Sequence, residues 1–146
     1  MDNIIYKKLD IANNLTEETK NKITNFLTNH MQQYSDSVES VMLCLDYVSD
    51  PSRGGEIYLS EHNSNIVGAV VTNYTHMKGY IPANLLVYVA THNQYRRKGI
   101  AKKLMQMALQ NCKNGATLHV EMNNPAKILY EKLGFVQKYV EMRLAR

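Results

Sequence analysis

A chain of 146 residues with 45% hydrophobic content holds enough apolar material for one core and too little length for two ordinary domains, so residues 1–146 are expected to form a single domain. Seventeen Lys and Arg against 13 Asp and Glu leave a formal charge of +4, a modest excess that suits an anionic ligand without asking for nucleic acid. Cys44 and Cys112 stand far apart and outside any Cys-x-x-Cys or Cys/His spacing, so the sequence suggests neither a disulfide framework nor a metal site. Reduced thiols and a cytoplasmic setting follow as the expectation. The stretch from Met1 to Lys8 lacks the long apolar run of a leader, and no later segment approaches the roughly 18 apolar residues of a membrane span.

Residues 3–9 carry β-branched and aromatic side chains at strand density. Thr16 followed by Glu17 and Glu18 offers a cap and an acidic first turn for a helix reaching about His30. Between 31 and 52, Val38, Val41, Met42 and Leu45 fit a second helix, interrupted by Ser, Asp and Tyr, before the turn at residues 50–55. Residues 56–60 and 66–74 read as strands joined by a polar loop at 61–65, a hairpin. Residues 85–90 are almost wholly apolar, the pattern of a strand buried on both faces at a sheet centre.

That strand leads into Arg96, Arg97, Lys98, Gly99, Ile100 and Ala101, after which Ile100, Leu104, Met107 and Ala108 recur at helical spacing to about Gly115. A short strand is expected at 117–122. Asn124 before Pro125 marks the start of a helix over 126–133, which Gly134 stops. Residues 135–144 have room for one last strand. The sum is an α+β layer, a mixed sheet with helices on both faces.

A helix that opens straight after a buried strand presents free backbone N–H groups and its positive dipole end, which together cradle an anion such as a pyrophosphate. Gly99 permits close approach, Ala101 keeps the second contact small, and Arg96, Arg97 and Lys98 add charge at the rim. Neither the P-loop nor the dinucleotide spacing is present. The same turn reads equally as a solvated basic turn before a surface helix.

Arg96-x-x-Gly99-x-Ala101 after an apolar strand resembles the coenzyme A pyrophosphate loop of GNAT acetyltransferases, and the segment from Asn123 through Ala126 and Tyr130 to Gly134 and Phe135 resembles that family's second motif. The close match covers about residues 85–136. The resemblance implies a mostly antiparallel mixed sheet with a splayed central strand pair, acetyl-CoA as cosubstrate and an amine acceptor. It further implies cofactor contacts at Val89, Ala90, Thr91, Arg96, Arg97, Lys98, Gly99, Ile100, Ala101, Asn123, Asn124, Ala126 and Tyr130. A backbone N–H near Val89 to Thr91 would polarise the thioester, and Tyr130 would protonate the departing thiolate. Tyr130 also belongs to an ordinary buried stripe with Ala126, Leu129 and Leu133.

Relatives often place a Glu on the central strand as base, and residues 85–90 contain no acid. Glu121, His76, Tyr74 and Glu56 remain as candidates, each with a simpler reading as a solvated, capping or packing side chain. His92 reads as an exposed loop residue. The expected acceptor is a small amine, a peptide N-terminus or a protein lysine, on a monomer or homodimer with no membrane and no nucleic acid bound. The competing readings are a non-catalytic acyl-CoA-binding module and an RNA-associated acetyltransferase acting on aminoacyl-tRNA.

Overall fold

The computed structural model describes residues 3–146; Met1 and Asp2 of the N-terminal stretch lie outside the described residues. Strand β1 (Ile5–Lys8) is followed by a one-turn helix α1 (Ile11–Asn14) that the sequence pattern did not announce. Its start is fixed locally, because Asp10 Oδ1 accepts the Asn13 N–H at 3.4 Å. Helix α2 (Glu17–His30) begins where Thr16 Oγ1 accepts from the Thr19 N–H, as its sequence required. The segment 31–52 resolves into a short 3-10 turn (Gln32–Tyr34) and helix α3 (Val38–Ser49), the latter capped by Ser37.

Strands β2 (Gly55–His62) and β3 (Asn65–Tyr74) run further than expected and meet in a two-residue turn. Asn63 and Ser64 both adopt positive φ, 51° and 67°, which matches the twist of a tight hairpin and lets the ladder extend to His62 opposite Asn65. Strand β4 (Asn84–Thr91) comes next, then helix α4 (Ile100–Gln110), strand β5 (Ala116–Leu118) and helix α5 (Ala126–Lys132). The sheet order is β1-β2-β3-β4-β5, antiparallel except for the parallel pair β4 and β5.

Two apolar clusters flank the sheet. On one face α2 and α3 bring Ile23, Leu27, Val41 and Leu45 onto Ile57, Leu59, Ala69, Val71, Tyr88 and Ala90. On the other, α4 brings Ile100, Leu104, Met105 and Ala108 onto Tyr58, Val67, Val70 and Leu86. Gly68 of β3 sets the approach of α4, since a Cβ there would lie 2.7 Å from Ile100 Cγ2 and 2.9 Å from Leu104 Cδ1.

Three expectations need correction. The strand foreseen at 117–122 is only three residues long. The final strand foreseen over 135–144 is absent: that segment forms no ladder, and Val136, Tyr139, Val140, Met142 and Leu144 are exposed. The segment has the length and the apolar side chains for a strand, but a strand forms only where a neighbouring edge supplies partners for its N–H and C=O groups. The central strand is also less uniformly buried than its composition suggested, alternating buried and half-buried positions.

Candidate functional site

The site grows from the way β4 and β5 part. Their parallel ladder covers only Asn84 with Ala116, Leu85 with Thr117 and Leu86 with Leu118. The Asn84 side chain ties the root of this pair, donating from Nδ2 to the carbonyls of Lys113 and Gly115, both at 2.9 Å. Beyond Leu86, β4 continues to Thr91 while β5 has ended, leaving a gap.

A register shift against β3 lies at the same point. Val71 faces Tyr88 and Thr72 faces Leu86, so Val87 is the extra residue of a β-bulge. The bulge turns both Val87 and Tyr88 toward the α2 and α3 face, whereas Leu86 and Val89 join the α4 face. Past the bulge, His92 donates its N–H to the Val67 carbonyl at 2.8 Å. Strand alternation then aims the amides of Ala90 and Tyr88 at β3 as well, and the N–H groups of Val89 and Thr91 into the gap. Of the three residues expected to supply backbone contacts, Val89 and Thr91 present theirs to the gap and Ala90 does not.

At the open end of the gap the chain makes a 3-10 turn (Asn93–Tyr95) and swings through Arg97 at φ 64° and Gly99 at φ 79° into α4. No side chain caps α4, and its first backbone bond runs from the Lys103 N–H to the Gly99 carbonyl. The amides of Ile100, Ala101 and Lys102 are therefore unclaimed within the helix, at the helix start that the sequence placed directly after the strand. Arg97, Lys98 and Gly99 are exposed around it, and the Ile100 side chain is buried in the core, so Ile100 offers only its backbone.

Arg96 is not a free rim charge. Its Nη2 donates to the His30 carbonyl at 3.0 Å and to Asn93 Oδ1 at 2.9 Å, binding the turn to the end of α2.

On the far wall, Asn124 Oδ1 accepts the Ala126 N–H at 2.9 Å, so this oxygen already caps α5. Asn123 is exposed, and its carbonyl accepts from the Tyr34 hydroxyl at 3.3 Å. Tyr130 is buried at 8% exposure in the α4-face cluster, against which Val89, Leu118 and Ala126 also pack, and its ring meets Phe135 edge-on at 6.2 Å. Its hydroxyl has no partner among the described residues, and burial pushes its pKa up to about 12. Tyr130 is thus a core side chain, as the buried-stripe reading had it.

The base candidates lie elsewhere. Tyr74 pairs with Asn84 at the closed end of the gap, and burial followed by neighbouring Glu56 pushes its pKa up to about 12. His76 contacts the Arg53 carbonyl through Nε2 at 2.7 Å, Glu56 is taken by Lys8 at 2.7 Å, and Glu121 is exposed on the β5 to α5 connection. His92 is half-buried rather than exposed, because its ring stacks on His30 and meets Tyr95 edge-on.

Two residues that sequence reasoning passed over meet on the α2 and α3 side of β4. Tyr88, 4% exposed, donates its hydroxyl to Asp36 Oδ2 at 2.7 Å. The available signal was a tyrosine inside an aliphatic strand, since a buried phenol requires an acceptor.

The sheet thus parts at its central pair beside a bare helix N-terminus. The chain belongs to the GNAT acetyltransferase family: the model described as "Acetyltransferase (GNAT) domain" matches residues 53–137, over half of the chain. Cysteine-rich protein 2-binding protein of Mus musculus is 35% identical over 75 residues, covering 50% of this chain and 9% of that protein, and the Homo sapiens protein matches equally. The chain therefore spans about a tenth of the length of these curated relatives.

Among solved structures, a transcriptional regulator from Bacillus halodurans C-125 superposes with TM-score 0.73 at 18% identity, covering 99% of this chain and 100% of that one. A chain of the NatC complex bound to Gag peptide and CoA gives TM-score 0.71 at 23% identity, covering 93% and 86%. Both share the fold. No helix among the described residues is long and apolar enough to cross a membrane.

Proposed function

We propose that residues 3–146 act as one unit that transfers an acetyl group from acetyl-CoA to a primary amine by direct attack on the thioester. The observation that carries this reading is the junction of two features on one strand: free N–H groups of Val89 and Thr91 along the gap, and unclaimed amides of α4 where that strand ends. An extended ligand with amides along its length and phosphates at one end matches both.

In this reading the pyrophosphate rests on the α4 amides with Arg97 and Lys98 beside it, and the pantetheine arm fills the place along β4 that β5 leaves open beyond Leu118. Each preorganised N–H aimed at the developing oxyanion is worth about 3–4 kcal/mol of barrier in comparable sites. The Val89 amide, nearest the bulge, is the donor assigned to the thioester carbonyl. Tyr130, kept protonated by burial, supplies a proton to the leaving thiolate.

The acceptor class stays broad here: a small amine, a peptide N-terminus or a protein lysine. Likeness to a chain of a complex bound to peptide and CoA supports an amine on a peptide as the first to try. The unpaired thiols of Cys44 and Cys112 support a reducing compartment such as the cytoplasm.

Calorimetric titration with acetyl-CoA, followed by thiol release against a panel of amines, tests the proposal. Binding with amine-dependent release is expected. Binding without release to any amine would leave an acyl-CoA-binding module, and absence of binding would remove the reading altogether.

A further inference from the structure

We propose that the carboxylate of Asp36 receives the ammonium group of the acceptor, an inference that rests on the acetyltransferase reading above and adds the acceptor's docking point. Asp36 lies between the 3-10 turn at Gln32–Tyr34 and the Ser37 cap of α3, and it meets β4 through Tyr88, which packs on the α2 and α3 face. Its Oδ2 accepts the Tyr88 hydroxyl at 2.7 Å. Two residues earlier, the Tyr34 hydroxyl donates to the Asn123 carbonyl across the gap at 3.3 Å. Residues 34–36 thus touch both walls, β4 through Tyr88 and the β5 to α5 connection through Asn123.

Tyr88 immediately precedes Val89, whose N–H faces into the gap, and one strand residue advances about 3.3 Å. The carboxylate is consequently held on the α2 and α3 face, at the tip of the side chain that precedes the stretch where the thioester is assigned, by a phenol that packing fixes in place. Asp36 is exposed, and no cation lies within ion-pair distance of it among the described residues. Its Oδ1 has no protein partner among them either. A carboxylate with one oxygen anchored and the other open is a cation receptor.

Primary amines arrive charged at neutral pH, with pKa values of about 7.7–8.0 for an α-amino group and about 10.4 for lysine. The open oxygen pairs with this ammonium. One proton leaves the nitrogen through the exposed carboxylate to water, and the freed lone pair attacks the thioester carbon. The C–N bond forms, the C–S bond breaks with its electron pair on sulfur, and the thiolate takes a proton from Tyr130. Tyr130 recovers that proton from the second one the nitrogen sheds, so one proton in all is released to solvent.

Asp36→Asn isolates the charge, because the Asn carboxamide oxygen still accepts the Tyr88 hydroxyl. Three measurements decide: acetyl-CoA affinity by calorimetry, amide shifts of CoA-bound protein titrated with n-butylammonium, and thiol release with n-butylamine or with hydroxylamine, which is uncharged at neutral pH. In the wild type, shifts are expected at residues 34–36 and 88–89. Asp36→Asn should weaken butylammonium binding and raise its KM by about tenfold or more, the usual worth of a charge-assisted contact. Acetyl-CoA affinity and the hydroxylamine reaction should stay within twofold, and Asp36→Glu should recover part of the butylamine rate.

Equal loss with both nucleophiles would make Asp36 a merely structural residue and overturn the proposal. So would unchanged butylammonium binding in Asp36→Asn, or no shifts at all in a wild type that binds CoA. A wild type that does not bind acetyl-CoA overturns the acetyltransferase reading itself.

Discussion

His30, the last residue of α2, and His92, just beyond β4, stack their rings with centroids 4.1 Å apart. Each ring spends its Nδ1 lone pair on the turn that leads to the cradle. His30 Nδ1 accepts the Asn93 N–H at 3.2 Å, and His92 Nδ1 accepts the Gln94 N–H at 3.1 Å. Both bonds require a neutral imidazole with its proton on Nε2. Burial first, then His92, with Arg96 adding to it, hold the His30 pKa below the ordinary histidine value.

Stability should therefore depend on pH in a definite direction. The unfolded chain takes its His30 proton near pH 6.5, before the folded protein does, so the unfolded state binds more protons in that window. Stability is expected to be level above about pH 7, to fall as pH drops through 6.5 toward the lower folded value, and to level again beneath it. Urea unfolding across this range checks the sign. His30→Gln should flatten the slope, and an unaltered slope in that variant would assign the dependence to other groups.

Gly99 tests the cradle. At φ 79° a side chain is strained, yet a Cβ there meets nothing within 4 Å, so the cost of Gly99→Val is conformational, about 1–2 kcal/mol. Strain at this turn would also shift the free α4 amides that follow it. Acetyl-CoA affinity is expected to drop by more than the loss of fold stability explains, measured by calorimetry beside urea unfolding.

Tyr130→Phe separates packing from chemistry. The hydroxyl has no partner among the described residues, so its removal should leave stability and acetyl-CoA affinity near wild type. Turnover should fall by about 10²-fold, the low end for a general acid facing a fair leaving group. Because burial pushes its pKa up to about 12, Tyr130 should remain a proton donor across the usual assay range, and no basic limb below about pH 10 should trace to it. Unchanged turnover would confine Tyr130 to the core.

Gly68→Ala probes how the scaffold positions the helix. The new methyl would lie within 3 Å of Ile100 and Leu104 side-chain atoms, in the cluster where α4 meets the sheet. Overpacking of this kind costs about 1–3 kcal/mol. Since Ile100 opens α4, displacement of the helix should weaken acetyl-CoA binding together with stability, in contrast to Gly99→Val.

Much of the molecule was legible in the chain because its signals act locally. Thr16 caps its helix within three residues, Asn124 and Pro125 start α5, and Gly99 stands at the turn where α4 begins. Such devices need no distant partner, and they sufficed to place a bare helix end directly after a central strand. The last strand failed for the converse reason. Residues 135–144 leave room for a strand, and nothing local can supply the edge that a ladder requires.

What the sequence alone determined is local: a helix that starts without a side-chain cap behind Gly99, directly after a central strand, in a chain with the family's two motifs. Tertiary structure decided what stands across from it. The bulge at Val87 follows from registering β4 against β3, Tyr88 meets Asp36 across 52 residues, and the Asn93 amide finds the His30 ring across 63. Contacts of that separation are fixed only when the whole chain has closed around its two apolar clusters, because the entropy of closing such loops is recovered by burial elsewhere in the fold.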